Sequence, residues 1–287
     1  MERSLKPIEP GNATTQVLPA LEPVAGPARR RNNMLATTRV ILALMLREMS
    51  TRYGRTPGGY IWAIVEPVSM IAVLAFGFSL ITRNPPLGNS FILFYASGLL
   101  AFNQYRDLEI VVTRALPYAQ GLLKFPVVTW LDAILARFIL NFLTSVLNTI
   151  LIMWGMIQIA DVSTMIDLGP MVEAMCLASF LGLGVGVLNA LLIGLWPIWN
   201  TVYGLVNRPL LLASAIFYTM EDLPEGIADL LWFNPLVHIT GLMRAGVFST
   251  YDPQYVSVPY VLGFALVSMA TGLVFLRRYA TTILNAH

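Results

Sequence analysis

The sequence predicts an all-α protein that crosses a membrane several times. Hydrophobic residues make up 56% of the 287 residues and charged residues only 12%. The apolar residues fall into runs of about 20, the length that crosses a bilayer core as a helix, and not into the short alternation of a soluble core. The single cysteine, Cys176, lies within such a run, so an intramolecular disulfide and a cysteine-based metal site are excluded.

Residues 1–33 are predicted to be a disordered cytoplasmic tail. They form a proline-rich polar stretch that ends in Arg29, Arg30 and Arg31, and they show no apolar periodicity. The basic cluster is typical of a segment that lies beside anionic lipid headgroups. Residues 34–287 are predicted to form one transmembrane domain.

Residues 34–56 are predicted to form an amphipathic helix in the membrane interface. Apolar residues recur at helical spacing from Leu35 to Met49, while Arg47 and Arg52 make the end of the segment too charged to cross hydrocarbon. A Pro-Gly-Gly break at 57–59 then separates this helix from the first span.

Six membrane spans are predicted, at about residues 59–82, 91–112, 133–159, 170–195, 201–220 and 258–276. An even number of spans places both termini on one side of the membrane. Fourteen of the 18 Lys and Arg residues fall in the two tails and in the connection 114–137, whereas Arg83 and Arg244 fall in the opposite connections. Because basic residues concentrate in cytoplasmic segments, both termini are predicted to be cytoplasmic.

The connection before the last span contains two apolar segments, 227–233 and 236–247, each too short to cross a bilayer. Because Asn234-Pro235 separates them, they are predicted to be two short re-entrant or interfacial helices. For His238, an interfacial packing role and a proton-linked role are the alternatives. Close helix packing is predicted at three glycines of the fourth span, Gly182, Gly184 and Gly186.

The connection between the second and third spans carries apolar side chains on the predicted cytoplasmic side. Its middle, Gln120 to Val128, is predicted to form a short exposed helix or turn that bears Leu122, Leu123, Lys124 and Phe125. Exposed leucine and phenylalanine side chains are typical of a surface that docks into a partner. The alternative is a loop that lies along the lipid surface.

The sequence contains no ATP site of the P-loop kind. That motif needs Gly-Lys followed by Ser or Thr, and both lysines, Lys6 and Lys124, follow a leucine. The two histidines, His238 and His287, have no acidic or cysteine neighbours at metal-ligand or catalytic spacing. The chain is therefore predicted to be no enzyme and to hold no metal or cofactor of its own.

Ionisable residues within the predicted spans are candidate functional residues, because inserting each one near the bilayer centre costs about 2.5 to 3.5 kcal/mol of free energy. Pro67 is predicted to kink the first span and to free a backbone carbonyl. Glu66 beside it is predicted to face protein or water, where it either binds substrate or a proton or forms a structural hydrogen bond to a neighbouring helix. Arg106 either pairs with Glu109 or lines an aqueous path beside aromatic rings. Arg208 lies either near the start of the fifth span or at a kink around its buried guanidinium.

Three stretches, in order, resemble segments of one family. The first is R-E-M-S-T-R-Y-G-R-T-P-G-G-Y-I-W-A-I-V-E-P, from Arg47 to Pro67; the second is G-L-L-K-F-P-V, from Gly121 to Val127; the third runs from Leu223 to Gly246. They resemble the first-span, coupling and periplasmic segments of ABC-2 type permeases, most closely the capsular polysaccharide export permeases of Gram-negative bacteria, the KpsM/BexB type. The resemblance covers about residues 34–279, and it departs from the family pattern at Gly58 and in the long N-terminal tail.

The resemblance implies a homodimeric permease of the bacterial inner membrane that moves a lipid-linked polysaccharide outward. Two copies of a separate KpsT-like ATPase would bind ATP and Mg. A KpsE-like periplasmic co-polymerase and an outer-membrane exporter would extend the path, and no nucleic acid partner is expected. The alternatives are export of O-antigen, teichoic acid or a small hydrophobic compound, a membrane-embedded glycosyl- or acyltransferase, and a proton-coupled carrier that uses Glu66.

The candidate functional residues fall into three groups. Substrate entrance and channel residues are Arg47, Arg52, Arg55, Tyr60, Trp62, Glu66, Tyr95, Phe102, Tyr105 and Arg106. ATPase-coupling residues are Gln120, Gly121, Leu122, Leu123, Lys124, Phe125 and Pro126. Periplasmic gate residues are Trp232, Phe233, His238 and Arg244. For Arg52 and Arg55, anchoring to lipid headgroups is the alternative to substrate binding.

Overall fold

The computed structural model describes residues 34–53, 59–123, 128–160 and 166–285, with only the backbone described at 34–36, 51–53, 59, 60, 160, 281, 284 and 285. This part of the chain consists of α-helices and connecting turns, without a β-strand. The helices are α1 (Met34–Tyr53), α2 (Gly59–Ser79), α3 (Phe91–Thr113), α4 (Ala115–Leu123), α5 (Trp130–Ala160), α6 (Leu168–Leu195), α7 (Ile198–Ala213), α8 (Glu225–Trp232), α9 (Pro235–Val247) and α10 (Val258–Asn285). A single 3-10 turn, Met220–Asp222, precedes α8.

Side-chain caps set the start of the three helices that form most of the core. The Ser90 side chain accepts from the Leu93 N–H at 3.5 Å, and the Asp167 side chain accepts from the Gly169 N–H at 2.9 Å. Asn234 accepts from the Leu236 N–H at 3.1 Å, with a proline at the first position of α9. Because the first N–H groups of a helix have no partner within it, these caps favour helix initiation at these residues.

The core is built where α3 packs against α6, with α9 and α10 on the other sides of α6. A Cβ atom on Gly182 would lie 2.7 Å from the Tyr105 carbonyl oxygen, and one on Gly186 would lie 2.8 Å from the Val112 Cβ. Gly184 meets the backbone of Ala265 in α10 equally closely. The predicted packing role of the three glycines is confirmed, since only a residue without a side chain admits such close helices.

Among the described residues, four helices are long and apolar enough to cross a membrane, over Ile61–Ser79, Trp130–Ile159, Leu168–Leu195 and Val258–Ala280. The other two predicted spans correspond to α3 and α7. The last turns of α3 contain three charged residues, and α7 has only 16 residues. Length and composition therefore support a membrane body of four helices, and six spans remain a prediction.

The fifth predicted span ends earlier than expected. The prediction extends to residue 220, whereas α7 ends at Ala213, because Ala215 adopts the left-handed conformation with φ 54° and turns the chain. Arg208 lies within α7 with an exposed side chain, so a kink around a buried guanidinium is wrong.

Helix α1 packs along α5 through one side. Glu48 is buried and Leu44 half-buried on that side, while Leu42, Leu46 and Met49 are exposed on the other. Apolar side chains thus lie on both sides of α1, and the predicted single apolar face is not evident in this chain.

Candidate functional site

An open groove of about 850 Å³ lies between α2, α3 and α5 and is the main candidate for a substrate site. Its volume falls within the range of about 300 to 1,000 Å³ that ligand pockets occupy. Each of the three helices contributes one wall, and Leu211 of α7 closes one end. The groove runs between helices that include two of the membrane-length segments, α2 and α5.

The α2 wall carries Trp62 and Glu66, both exposed to the groove. Pro67 follows, and because proline has no N–H, the Ala63 carbonyl four residues earlier loses its helical donor. The Asn148 side chain of α5 donates to that carbonyl, with 3.4 Å between Nδ2 and the oxygen. The carbonyl that the sequence predicted to be freed is therefore met by a side chain of the neighbouring helix.

The α3 wall carries charge at its open end. Arg106 and Asp107 are exposed there, and Asn103 and Gln104 lie deeper. Among the described lining residues, Arg106 is the one basic residue, beside the carboxylates of Glu66 and Asp107. The described lining thus mixes polar and apolar side chains and is not strongly cationic.

Glu109 lies on another side of α3 and is only 1% exposed. Its Oε1 accepts from Asn189 Nδ2 and from Thr113 Oγ1, both at 2.8 Å, and Asn189 in turn accepts from Trp199 Nε1 at 3.0 Å. This network joins α3, α6 and α7. Arg106 therefore lines the groove, while Glu109 accepts hydrogen bonds from α6 and from its own helix, and the predicted path beside aromatic rings is not formed around Arg106.

The predicted aromatic channel wall differs from the observed one. Tyr95, Phe102 and Tyr105 are each less than 5% exposed and lie in the core. The Tyr95 ring packs against Phe94, with 5.3 Å between centroids, and the Tyr105 hydroxyl lies 3.1 Å from the Tyr203 hydroxyl. Sequence spacing places these rings on α3, but helix contacts turn them inward; in this chain they do not line the groove.

The α5 wall was missed by sequence reasoning. It consists of amide and hydroxyl side chains, Asn141, Thr144, Ser145, Asn148 and Thr149. Their spacing repeats with the helical period, so one polar face was readable in the sequence. Neutral polar residues within a long apolar run lower its mean hydropathy only slightly, so hydropathy alone does not reveal the polar face.

Arg47 lies away from the groove, where α1 meets α4 and α5. Its guanidinium carbon lies 5.9 Å from the centroid of the Tyr118 ring, and that of Arg137 lies 4.3 Å from the same ring. Arg137 Nε also donates to the buried Glu48 at 3.1 Å, and Arg137 Nη1 donates to the Arg114 carbonyl at 3.0 Å. We call Glu48, Tyr118 and Arg137 the α1–α4–α5 tie.

Several predicted entrance and coupling residues fall where the structure gives no side chain. Arg55, Lys124, Phe125 and Pro126 lie outside the described residues, and only the backbone is described at Arg52 and Tyr60.

The described part of the predicted coupling segment belongs to α4. This helix buries Ala115, Leu116 and Ala119, and its last turn carries Gln120, exposed Gly121, and half-buried Leu122 and Leu123. Leu123 packs against a small core cluster that includes Ile283 of α10. The end of α4 is thus held against α5 and α10 immediately before residue 124.

The four predicted gate residues lie on α8, α9 and the residue between them. The Trp232 Nε1 donates to the Tyr255 carbonyl at 3.0 Å, and the exposed Phe233 ring lies 5.6 Å from that of Trp232. His238 Nε2 donates to the Trp232 carbonyl at 2.8 Å, while its Nδ1 accepts from the Ser257 N–H at 3.3 Å. This arrangement requires neutral imidazole, and burial correspondingly lowers the pKa of His238.

Arg244 is completely buried although it belongs to the same group. Its Nη1 donates to the Tyr218 carbonyl at 2.8 Å and its Nη2 to the Ile216 carbonyl at 2.9 Å. Its guanidinium carbon lies 4.0 Å from the centroid of the Phe94 ring. Arg244 thereby satisfies the backbone of the irregular turn around Ala215, which has no helical partners.

The chain is similar to curated proteins over most of their length. The chain is 29% identical over 244 residues to the polysialic acid transport protein KpsM of Escherichia coli, covering 85% of this chain and 95% of the relative. It is 25% identical over 248 residues to the capsule polysaccharide export inner-membrane protein CtrC of Neisseria meningitidis serogroup A, covering 86% and 94%. It is 26% identical over 243 residues to the capsule polysaccharide export inner-membrane protein BexB of Haemophilus influenzae, covering 84% and 91%.

The family comparison covers the groove, the α1–α4–α5 tie and the gate residues together. The family model described as ABC-2 type transporter matches residues 39–248, which is more than half of the chain. With its all-helical described part and its membrane-length helices, the chain belongs to the ABC-2 type transporter family.

Proposed function

We propose that this chain is the transmembrane permease subunit of an ABC transporter that exports a lipid-linked capsular polysaccharide across the bacterial inner membrane. The observation that carries the proposal is the similarity to KpsM, CtrC and BexB over 84–86% of this chain. The polar side chains within the groove between α2, α3 and α5 support it, because a hydrated polymer needs hydrogen-bonding groups at membrane depth.

The proposed topology has six spans, namely α2, α3, α5, α6, α7 and α10, with both termini in the cytoplasm. Helix α1 lies in the cytoplasmic interface, with Leu42, Leu46 and Met49 toward lipid. Helices α8 and α9 re-enter the membrane from the periplasmic side. Support comes from their lengths of 8 and 13 residues and from the charge distribution of the sequence.

Energy is proposed to come from outside the chain. The sequence has no P-loop lysine, so two KpsT-like ATPase subunits would bind ATP and Mg and dock against a homodimer of this chain. The proposed docking segment is Gln120–Pro126. A KpsE-like co-polymerase and an outer-membrane exporter would receive the polymer in the periplasm.

The groove residues Trp62, Glu66 and Arg106 are proposed to contact the substrate. Arg47 is placed differently in this proposal, because its contact with Tyr118 lies beside α4 and not in the groove. It would help to connect the interface helix with the docking segment. Arg52, Arg55 and Tyr60 are proposed to form the cytoplasmic entrance.

The test is export in cells that lack their own capsule permease and carry the chain with its ATPase and the polymer-synthesising enzymes. Surface polysaccharide is expected with both proteins and none with either alone. Transport without the ATPase would favour a proton-coupled carrier, and co-purification of a small hydrophobic compound in place of a glycolipid would favour another export substrate.

The docking segment is tested by the double substitution L123A/F125A. Export and co-purification with the ATPase are expected to be lost, while the amount of folded chain in the membrane is retained. The control is L147A on the exposed side of α5. Unchanged association of L123A/F125A with the ATPase would refute the docking segment.

A further inference from the structure

The polar face of α5 extends along one wall of the groove. Asn141, Thr144, Ser145, Asn148 and Thr149 follow one another at intervals of three and one residues, so they occupy one side of the helix. At 1.5 Å per residue they cover roughly 12 Å of groove length. On the same helix the lining continues with the apolar Ile152.

The outward side of α5 is apolar. Its outward side exposes Leu143, Leu147, Ile150 and Trp154, and the helix is one of the four with the length and hydropathy of a membrane span. Amides and hydroxyls are costly next to hydrocarbon unless they find hydrogen-bond partners. A polar row on such a helix therefore indicates that the groove in front of it holds water or a polar ligand.

Part of the row has hydrogen-bonding capacity left for a ligand. Thr144 Oγ1 donates to the Leu140 carbonyl at 2.9 Å, and the Asn148 amide nitrogen is directed at Ala63. The hydroxyls of Ser145 and Thr149 and the Asn148 amide oxygen form no hydrogen bond within the described part of the chain. Each hydroxyl can donate and accept, which matches the hydroxyls of a sugar.

The opposite wall continues the same chemistry. Gln104 of α3 lines the groove and donates through Nε2 to Ser179 Oγ at 2.8 Å. Its Oε1 has no hydrogen-bond partner among the described residues. Charge is sparse by comparison, with Arg106 against the two carboxylates of Glu66 and Asp107.

We propose that the polar face of α5, centred on Ser145, Asn148 and Thr149, binds the hydroxyl groups of the sugar chain, so that the groove recognises the polyol and not its charge. This inference rests on the proposed function and names the substrate contacts within it. Neutral hydrogen bonds contribute only about 0.5 to 1.5 kcal/mol each, so a row of them holds a polymer without stopping its movement. Charge-based recognition would instead concentrate basic residues in the groove.

Binding by the full-length chain in lipid nanodiscs tests the proposal. The probes are a fluorescent neutral glucan oligosaccharide and the same oligosaccharide with oxidised, carboxylate-bearing sugars, measured by fluorescence anisotropy. S145A/T149V is expected to weaken both probes about tenfold, the effect of losing roughly two hydrogen bonds, and ionic strength is expected to have little influence. R106Q is expected to bind both probes almost as well as the unmodified chain.

The matched control is S79A/T271V, which removes one serine and one threonine hydroxyl at exposed positions outside the groove. It is expected to bind both probes like the unmodified chain. If S145A/T149V binds the neutral probe as well as the control does, the proposal is wrong. Binding of the carboxylated probe alone, with strong salt dependence, would also overturn it in favour of charge recognition.

Labelling provides a second, independent measurement that does not depend on probe affinity. In a C176S background, S145C is expected to react with a membrane-impermeant maleimide, and the neutral glucan is expected to slow the reaction. L147C, on the lipid-facing side of α5, is expected to remain unlabelled. An S145C chain that reacts only after detergent has separated the copies would show that a second copy covers the face, which contradicts the proposal.

Failure of this inference is distinguishable from failure of the proposed function. If the unmodified chain and its ATPase export no polysaccharide, the proposed function is wrong. If they export it and S145A/T149V exports it at the same rate and binds the probe equally well, only the role of the α5 face is wrong.

Discussion

Arg244 shows how one side chain can stabilise an irregular part of a membrane protein. Its guanidinium donates to two carbonyls of the turn around Ala215 and lies against the Phe94 ring. Burial lowers the pKa of Arg244 to about 10, so it stays charged at neutral pH. A structural role in the turn is sufficient to explain its position, and the predicted gating role remains untested.

Replacing Arg244 by methionine is expected to destabilise the protein by about 3 kcal/mol. The substitution keeps the volume but leaves the Ile216 and Tyr218 carbonyls unpaired, each at a cost of roughly 1 to 3 kcal/mol. The measurement is the thermal unfolding midpoint of the detergent-purified chain, with R277M at an exposed position as the control. Equal midpoints for R244M and R277M would contradict the structural role.

His238 is expected to make stability depend on pH. Its folded pKa is lowered from the ordinary value of 6.5, mainly by burial. The neutral imidazole therefore contributes stability that is fully present above pH 6.5 and is lost as the pH falls through the lowered pKa. The unfolding midpoint should fall on acidification in the unmodified chain and fall less in H238Q, whose amide can still donate to the Trp232 carbonyl. Identical pH profiles would assign the loss to other groups.

The sequence indicated which residues are important more reliably than it indicated the role of each residue. The packing role of His238 and the close contacts of the three glycines follow from residue size and polarity, which a sequence displays. The inward rotation of Tyr95 and Tyr105 does not, because it depends on partners such as Tyr203, 98 residues away from Tyr105 along the chain. An exposed ring and a buried ring on a membrane helix look the same in sequence.

At the scale of helices, α2 and α5 are joined at the point where α2 lacks a backbone hydrogen bond. Asn148 meets the Ala63 carbonyl that Pro67 leaves without a donor. The sequence predicted the free carbonyl from proline alone. It could not identify Asn148, 85 residues from Ala63, since that pairing arises only when the two helices pack.

A double-mutant cycle on Pro67 and Asn148 tests this contact. N148V alone is expected to cost about 1 kcal/mol, because the Ala63 carbonyl then has no donor. In a P67A background, the alanine N–H can satisfy that carbonyl, so N148V should cost little and the coupling should approach 1 kcal/mol. Unfolding midpoints of the four chains give the cycle, and additive effects would show that the 3.4 Å contact contributes no stability.

At the scale of the whole molecule, the α1–α4–α5 tie connects the proposed docking segment to the helix that forms one groove wall. Glu48 of α1 and Tyr118 of α4 both contact Arg137 of α5. A displacement of α4 by a partner therefore reaches α1 and α5 through one guanidinium. The sequence placed Glu48 in the predicted interface helix and Tyr118 and Arg137 within the connection 114–137, and it offered no reason to pair them.

The substitution E48Q is expected to reduce export by about tenfold while the ATPase still binds and hydrolyses ATP. A neutral amide weakens the contact with Arg137, and a coupling free energy of about 1.4 kcal/mol corresponds to a tenfold effect. The measurement is polymer exported per ATP hydrolysed by the reconstituted complex, with E173Q at an exposed position of α6 as the control. A proportional loss of export and hydrolysis would indicate damage to assembly instead.

The unequal burial of the groove walls affects how wide the groove can become. Of the described side chains of α2, only Ile71 and Ala75 are fully buried, whereas the opposite wall, α3, is buried along most of its length. Because α2 has few buried contacts, displacing it costs little free energy. We therefore expect α2 to move more readily than α3. On the proposed function, a groove with one displaceable wall would admit polymer chains of different widths, and branched or substituted sugars would pass without repacking of the protein core.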